Sequence, residues 1–175
     1  MADTNVPSTP ADGNIKTVLV PAAADLAAPT LAEATAATAV DISCYLTKGG
    51  FALTVDQAVI NDERECDRIV RQAPGQVTVG LSITGIDNTN TTYESTDNEL
   101  ADALTEGSKW VAIRRRGLGH EEALDTGDVV SVTEFTVGIK TEVAADANSV
   151  LRSQWGAFVT GHEPEATIVA TAPGD

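Results

Sequence analysis

The cleanest alternation of apolar and polar positions runs through residues 76–84, where Val77, Val79, Leu81 and Ile83 share one parity and Gln76, Thr78, Gly80, Ser82 and Thr84 the other. A period of two sends one set to a core and the other to water or a partner, which predicts a strand. Shorter extended runs are expected at 15–20, 41–46, 51–55, 109–115, 150–160 and 166–171. A long strand is expected over 128–140. Its apolar set slips from Val130 and Val132 to Phe135, Val137 and Ile139, which predicts a β-bulge near Glu134.

Helical signals are few. Thr96 and Glu99 have capping-box spacing ahead of Leu100, Ala103 and Leu104, and Gly107 supplies a stop, so a helix is expected over 97–106. Pro29 opens a short helix around 30–35. Turns are expected at Lys48-Gly49-Gly50 and Gly161-His162-Glu163-Pro164, with a charged excursion over 56–65, a polar loop over 87–96 and a flap over 117–127. Many strands and one good helix make a mainly β fold: a β-sandwich of two sheets packed face to face with one flanking α-helix.

Composition narrows this to one domain. The chain has 175 residues, 42% hydrophobic, enough for a single buried core. Residues 1–14 carry Pro7, Pro10 and Gly13 without an apolar period and are expected to be a flexible arm, leaving a domain over 15–172 and a flexible C-terminus over 173–175. A net charge of −15 disfavours tight capture of nucleic acid. There is no run of eighteen apolar residues and no basic, apolar leader, so neither a membrane span nor a secretory signal is expected, and synthesis is expected in the cytoplasm. Cys44 and Cys66 lie outside any CxxC spacing and are expected to be buried free thiols; sequence leaves open whether they pair.

Catalytic patterns are weak. Both histidines occur as Gly-His-Glu, at His120 and His162, but neither has the second imidazole of an HExxH helix, and exposed turn histidines are the better account. Gly117-Leu118-Gly119 lacks the rest of a dinucleotide fingerprint, and no serine sits in GxSxG. No enzyme activity, metal or cofactor is expected. Trp110 and Trp155 read as core or interface anchors. The one basic run, Arg114-Arg115-Arg116, is expected to form salt bridges with carboxylates of the same or a neighbouring subunit, with Asp62, Glu63 and Glu65 as candidates between subunits or rings.

Segments spread along the chain share a likeness: 41–47 (Asp-Ile-Ser-Cys-Tyr-Leu-Thr), the charged run 61–66, 111–115, 147–151 (Ala-Asn-Ser-Val-Leu) and 158–161 (Phe-Val-Thr-Gly). Together they resemble the major tail tube proteins of long-tailed phages (siphoviruses) that infect actinobacteria. The resemblance implies hexameric rings stacked into a tube with a continuous inner β-barrel, the conduit for genome ejection. It also implies a tape-measure protein, tail-tip and tail-terminator proteins as partners, dsDNA passing without specific binding, and a place in the virion tail. The acidic composition then suggests a lumen that DNA does not adhere to, with Thr78, Ser82, Thr84 and Glu134 expected to face it. Ring stacking is expected from residues 48–65 and the N-terminal arm. The alternatives are the inner tube of a contractile or gene-transfer particle, and a monomeric β-sandwich binding module.

Overall fold

In a computed structural model the described residues are 6–66, 68–145 and 147–170. The expected C-terminal tail at 173–175, and the first five residues of the expected arm, lie outside them. The elements in chain order are β1 (Ile15–Val20), α1 (Leu31–Ala34), β2 (Val40–Asp41), β3 (Leu46–Asp62), β4 (Arg71–Ile86), α2 (Glu99–Ala103), β5 (Lys109–Arg116), β6 (Val129–Glu142) and β7 (Arg152–Thr167). All seven strands pair antiparallel in one sheet, in the order β2-β1-β5-β6-β7-β4-β3.

The mainly β expectation holds, and the two layers arise from one sheet that rolls onto itself. β5 and β3 are four places apart, about 19 Å in a flat sheet at the usual spacing. Yet the Arg114 guanidinium carbon lies 4.7 Å from the centroid of the Phe51 ring. Inside the roll, Leu19, Ile42, Leu81, Ile83, Phe135, Val137 and Trp155 form one core, closed by Leu100 of α2 and by Leu104. Outside it, Val18, Val20, Val111, Ile113, Val130 and Val132 form a second core with Ala166 and Ile168, against which Ala23, Leu26, Leu31, Ala34 and Leu124 pack. β1 and β5 are therefore buried on both faces, which is why Val18-Leu19-Val20 and Val111-Ala112-Ile113 read as unbroken apolar runs.

The bulge expected in β6 at Glu134 falls instead on its neighbour: Glu134 faces Gly161 while Phe135 faces Val159, leaving Thr160 of β7 as the extra residue, and β6 keeps its register with β5 throughout. The phase slip of β6 is a change of face, with Val130 and Val132 in the outer core and Phe135 and Val137 in the inner one. Other expectations change. The expected strand 41–46 keeps only its first residue in β2, because the backbone N–H groups of Tyr45 and Leu46 both fold back onto the Ile42 carbonyl. The capping box forms at Thr30 and Glu33, ahead of α1. At the other candidate, Thr96 donates to Asp97 instead and Asn98 stands at the N-cap, which shortens the helix expected over 97–106. The turn expected at 161–164 is continuous strand. Pro164 is tolerated there because β4 pairs with β7 only from Ile86↔Arg152 to Gly80↔Phe158, so the edge Pro164 occupies needs no donor. The charged excursion 56–65 is mostly the distal half of β3.

Candidate functional site

Beyond Leu53 and Leu81 the β3–β4 hairpin leaves the body of the protein. Pairing continues through Val59↔Pro74 to Asp62↔Arg71 with no third strand alongside, and every residue of β3 from Val55 onward is exposed. On the face continuous with the inner core, Val55, Val77 and Val59 form an apolar strip, 53%, 49% and 58% exposed. Where β4 and β7 diverge, Val55, Val77, Val79, Val159, His162 and Pro164 line a cleft of about 440 Å³. The alternation at 76–84 was legible, but half of its apolar set meets this open cleft and not the protein's own core. The signal that extends it is Phe51, Leu53, Val55 and Val59 on one parity of β3.

The opposite face of the same strands is mostly polar, with Phe158 as its one large apolar side chain among the described residues. Alternation places Ala52, Thr54 and Asp56 of β3, Thr78, Gly80, Ser82 and Thr84 of β4, and Gln154, Gly156 and Phe158 of β7 on it. Gln154 donates to Ser82 across the strands at 2.7 Å. Glu134 lies on this face of β6 and accepts from the Thr160 hydroxyl at 2.8 Å. All four residues expected to face a lumen thus share one face. Glycine is required at Gly138, where a Cβ would stand 3.0 Å from the Gly156 carbonyl oxygen and 3.1 Å from the Phe158 ring. Two strand edges bound this four-stranded unit: β3 on one side, and on the other β6 beyond Thr136, the last residue of β6 that β5 pairs.

The three arginines separate into different roles. Arg115 is 2% exposed and commits its guanidinium inside the protein: Nη1 donates to the Ala123 carbonyl (2.6 Å) and to Asp128 Oδ2 (2.9 Å), and Nη2 to the carbonyls of Gly119 and Glu122 (both 2.9 Å). The carboxylate that Arg115 pairs with is thus in its own subunit, and its burial and four bonds bind the 119–128 segment to β5. Burial opposes ionisation of Asp128, but the Arg115 hydrogen bond, the Asp125 backbone N–H and the Arg115 charge outweigh it and hold its carboxyl below the ordinary value. Arg114 points into the roll over Phe51, and its buried Nη1 has no hydrogen-bond partner among the described residues. Arg116 is exposed. Asp62 pairs with Arg64 within the hairpin tip at 2.9 Å, while Glu63 and Glu65 are exposed there without an ion pair among the described residues.

A second cluster, invisible in sequence, ties the far end of the sheet. Asp87 accepts from Ser153, from the Thr89 hydroxyl and backbone, and pairs with Lys140 at 2.6 Å. Lys140 also lies 5.6 Å from the Trp155 ring centroid. Burial alone would raise the Asp87 carboxyl, but Lys140, Ser153 and Thr89 outweigh it and hold it well below the usual range.

Both cysteines are free and exposed, where buried thiols were expected. They flank β3, whose run from Phe51 to Asp62 alone spans about 36 Å at the usual rise, far beyond the reach of a disulfide within one chain. The histidines are half-buried; His120 binds the Gly13 carbonyl and His162 pairs with the Thr133 hydroxyl at 3.0 Å. Among the described residues no three His, Cys, Asp or Glu side chains converge as a metal site, and no helix is long and apolar enough to cross a membrane.

A rolled sheet with a bare hairpin and two open edges is a part made to be completed. A family model described as phage tail tube protein matches residues 1–172. The chain belongs to the phage tail tube protein family. Among solved structures, the tail tube protein is similar to a chain of the anti-feeding prophage baseplate determined by cryo-EM with six-fold symmetrisation. The two share 12% identity at a TM-score of 0.50, over 94% of this chain and 99% of that one, a likeness of fold. No curated protein matches. Membership makes the tail tube protein a structural component of a phage tail, and implies self-assembly together with other tail components.

Proposed function

We propose that this tail tube protein is the major tail tube subunit of a long-tailed phage, forming hexameric rings that stack into the conduit for genome ejection. The observation that carries the reading is the four-stranded unit β3-β4-β7-β6, with one polar open face and an unpaired strand edge on each side. Edge-to-edge pairing of β3 from one subunit with residues 138–142 of β6 from the next satisfies both edges and closes a continuous inner barrel. The open face then lines the lumen. It carries Thr78, Ser82, Thr84 and Gln154 with the exposed Phe158 ring and carboxylates at Asp56 and Glu134, a surface of mostly neutral groups and sparse negative charge to which DNA does not adhere. The tape-measure, tail-tip and terminator proteins are its proposed partners, and the virion tail its location after synthesis in the host cytoplasm.

The likeness to a chain of a prophage baseplate favours a second reading, the inner tube of a contractile or gene-transfer particle. Electron microscopy of the purified protein, alone and seeded with tail tips, tests the first. Hollow six-fold tubes with the β4 and β7 polar face inward are expected. A subunit that stays monomeric even with tips, or a tube with that face outward, overturns the reading; a sheath around tubes in the native particle selects the second.

A further inference from the structure

In a chain with twenty-six acidic and eleven basic residues, an unpaired buried cation is conspicuous. Arg114 comes close to one: the residue is half-buried over the Phe51 ring, its Nη1 is buried without a hydrogen-bond partner, and it has no ion pair among the described residues. Its register partner on β1, Thr17, is wholly buried, and its hydroxyl also lacks a partner. Both residues line a cavity of about 470 Å³ whose walls include Ile15, Leu46 and Phe51, and whose one carboxylate, Asp12, is paired with Lys48 at 3.3 Å. Arg116 and Arg114 line a neighbouring cavity with Ile15, Phe51, Leu53 and Ser131, which contains no carboxylate. A guanidinium does not lose its proton, so the charge persists, and a buried charge without a partner is costly. The site therefore suits a carboxylate flanked by apolar side chains.

Such a group stands at the other end of β3. The hairpin tip presents Glu63 and Glu65 beside the exposed apolar side chains of Ile60, Ile69 and Val70, while Arg64 is held by Asp62 and so does not neutralise its neighbours. About 36 Å of strand separates Phe51 from Asp62, so a tip cannot reach the cavity of its own chain. It can reach that of a second copy displaced along the strand direction. Donor and acceptor occupy different surfaces, and such a head-to-tail contact repeats without closing, as stacking requires.

We propose that the Arg114 cavity is a socket for the Glu63 and Glu65 carboxylates on the hairpin tip of a second copy, stacked in the next ring; this rests on the tube reading. The fold supplies its own probe, because Cys44 lines the socket and Cys66 follows Glu65 at the tip. Assembled tubes of the unaltered protein are treated with a short bis-maleimide, and the linked peptides are identified by mass spectrometry. Cys44–Cys66 links between copies are expected, with a ladder of covalent oligomers that Cys66→Ser abolishes. Tubes that give no such link, or only links between like cysteines, overturn the socket and leave the tube reading standing. Failure to form tubes even with tail tips overturns the tube reading and the socket with it. As a second readout, the Glu63→Arg/Glu65→Arg protein is expected to lose at least about tenfold in tube yield at unchanged subunit melting temperature. Unchanged yield overturns the socket.

Discussion

β5 and the distal half of β3 both carry β-branched, strand-favouring residues but have opposite surroundings. Val111, Ala112 and Ile113 of β5 are no more than 2% exposed, between cores on both faces and paired strands on both edges. Val55, Val59 and Ile60 of β3 are more than half exposed, with a single paired neighbour. Strand propensity is the same in both; the number of neighbours differs. A two-stranded ribbon is marginal by itself, so this one is extended from a stable body and left for a partner to cover. On the proposed reading, the body carries the stability of the subunit and the hairpin its capacity to assemble. Substitutions should therefore separate the two properties.

The largest expected effect on the body is at Arg115. Arg115→Ala strands Asp128 and the carbonyls of Gly119, Glu122 and Ala123, all of which its guanidinium serves. Breaking a buried ion pair from one side costs about 3–5 kcal/mol, which urea unfolding of the unassembled subunit reads directly. A loss below about 1 kcal/mol would mean that the 119–128 segment is held by something other than these bonds.

A middle-sized effect is expected with acid. The Asp87 carboxyl has a lower pKa folded than unfolded, through Lys140, Ser153 and Thr89 acting against burial. Its contribution is therefore complete above the unfolded carboxylate range, near pH 4, and is lost as pH falls through the folded value. Asp128 has the same sign. Urea midpoints followed downward from pH 7 should decline on the acid side, with a slope shallower for Asp87→Asn than for the parent by up to about 1.4 kcal/mol per pH unit. Equal slopes would remove Asp87 from the account.

Sequence disclosed the body better than the hairpin, for the same reason. Where a strand packs against something in its own chain, the pattern records it: the phase slip from Val132 to Phe135 marks where β6 turns from the outer core to the inner one, and the parity of Leu81 and Ile83 marks the inner core. Where a strand leaves that body, as the distal hairpin does, polar and apolar positions mix. Val55-Asp56-Gln57-Ala58-Val59-Ile60 therefore reads as a charged excursion although it is strand. The four residues expected to face a lumen share one face of the sheet because alternation is local. Arg114 and Arg115 looked interchangeable because nothing in a run of three arginines says which points to Asp128 and which to Phe51. The Asp87 cluster joins residues 66 apart in sequence, and no local signal marks it.

The smallest effect on stability should accompany the largest on assembly. Val59→Thr and Val77→Thr add a hydroxyl to side chains already half in water, keep the β-branched shape and leave every strand pair intact. Unfolding of the separate subunit should change by no more than about 0.5 kcal/mol, as for surface positions in general. In the proposed tube the same positions lie under a neighbour, where each hydroxyl would need a partner it does not have. Tube formation should fall sharply, measured by sedimentation of concentrated protein with tail tips as seeds. If stability falls and assembly does not, the apolar strip packs within its own subunit in solution, and the division between a finished body and an unfinished hairpin fails at its most exposed point.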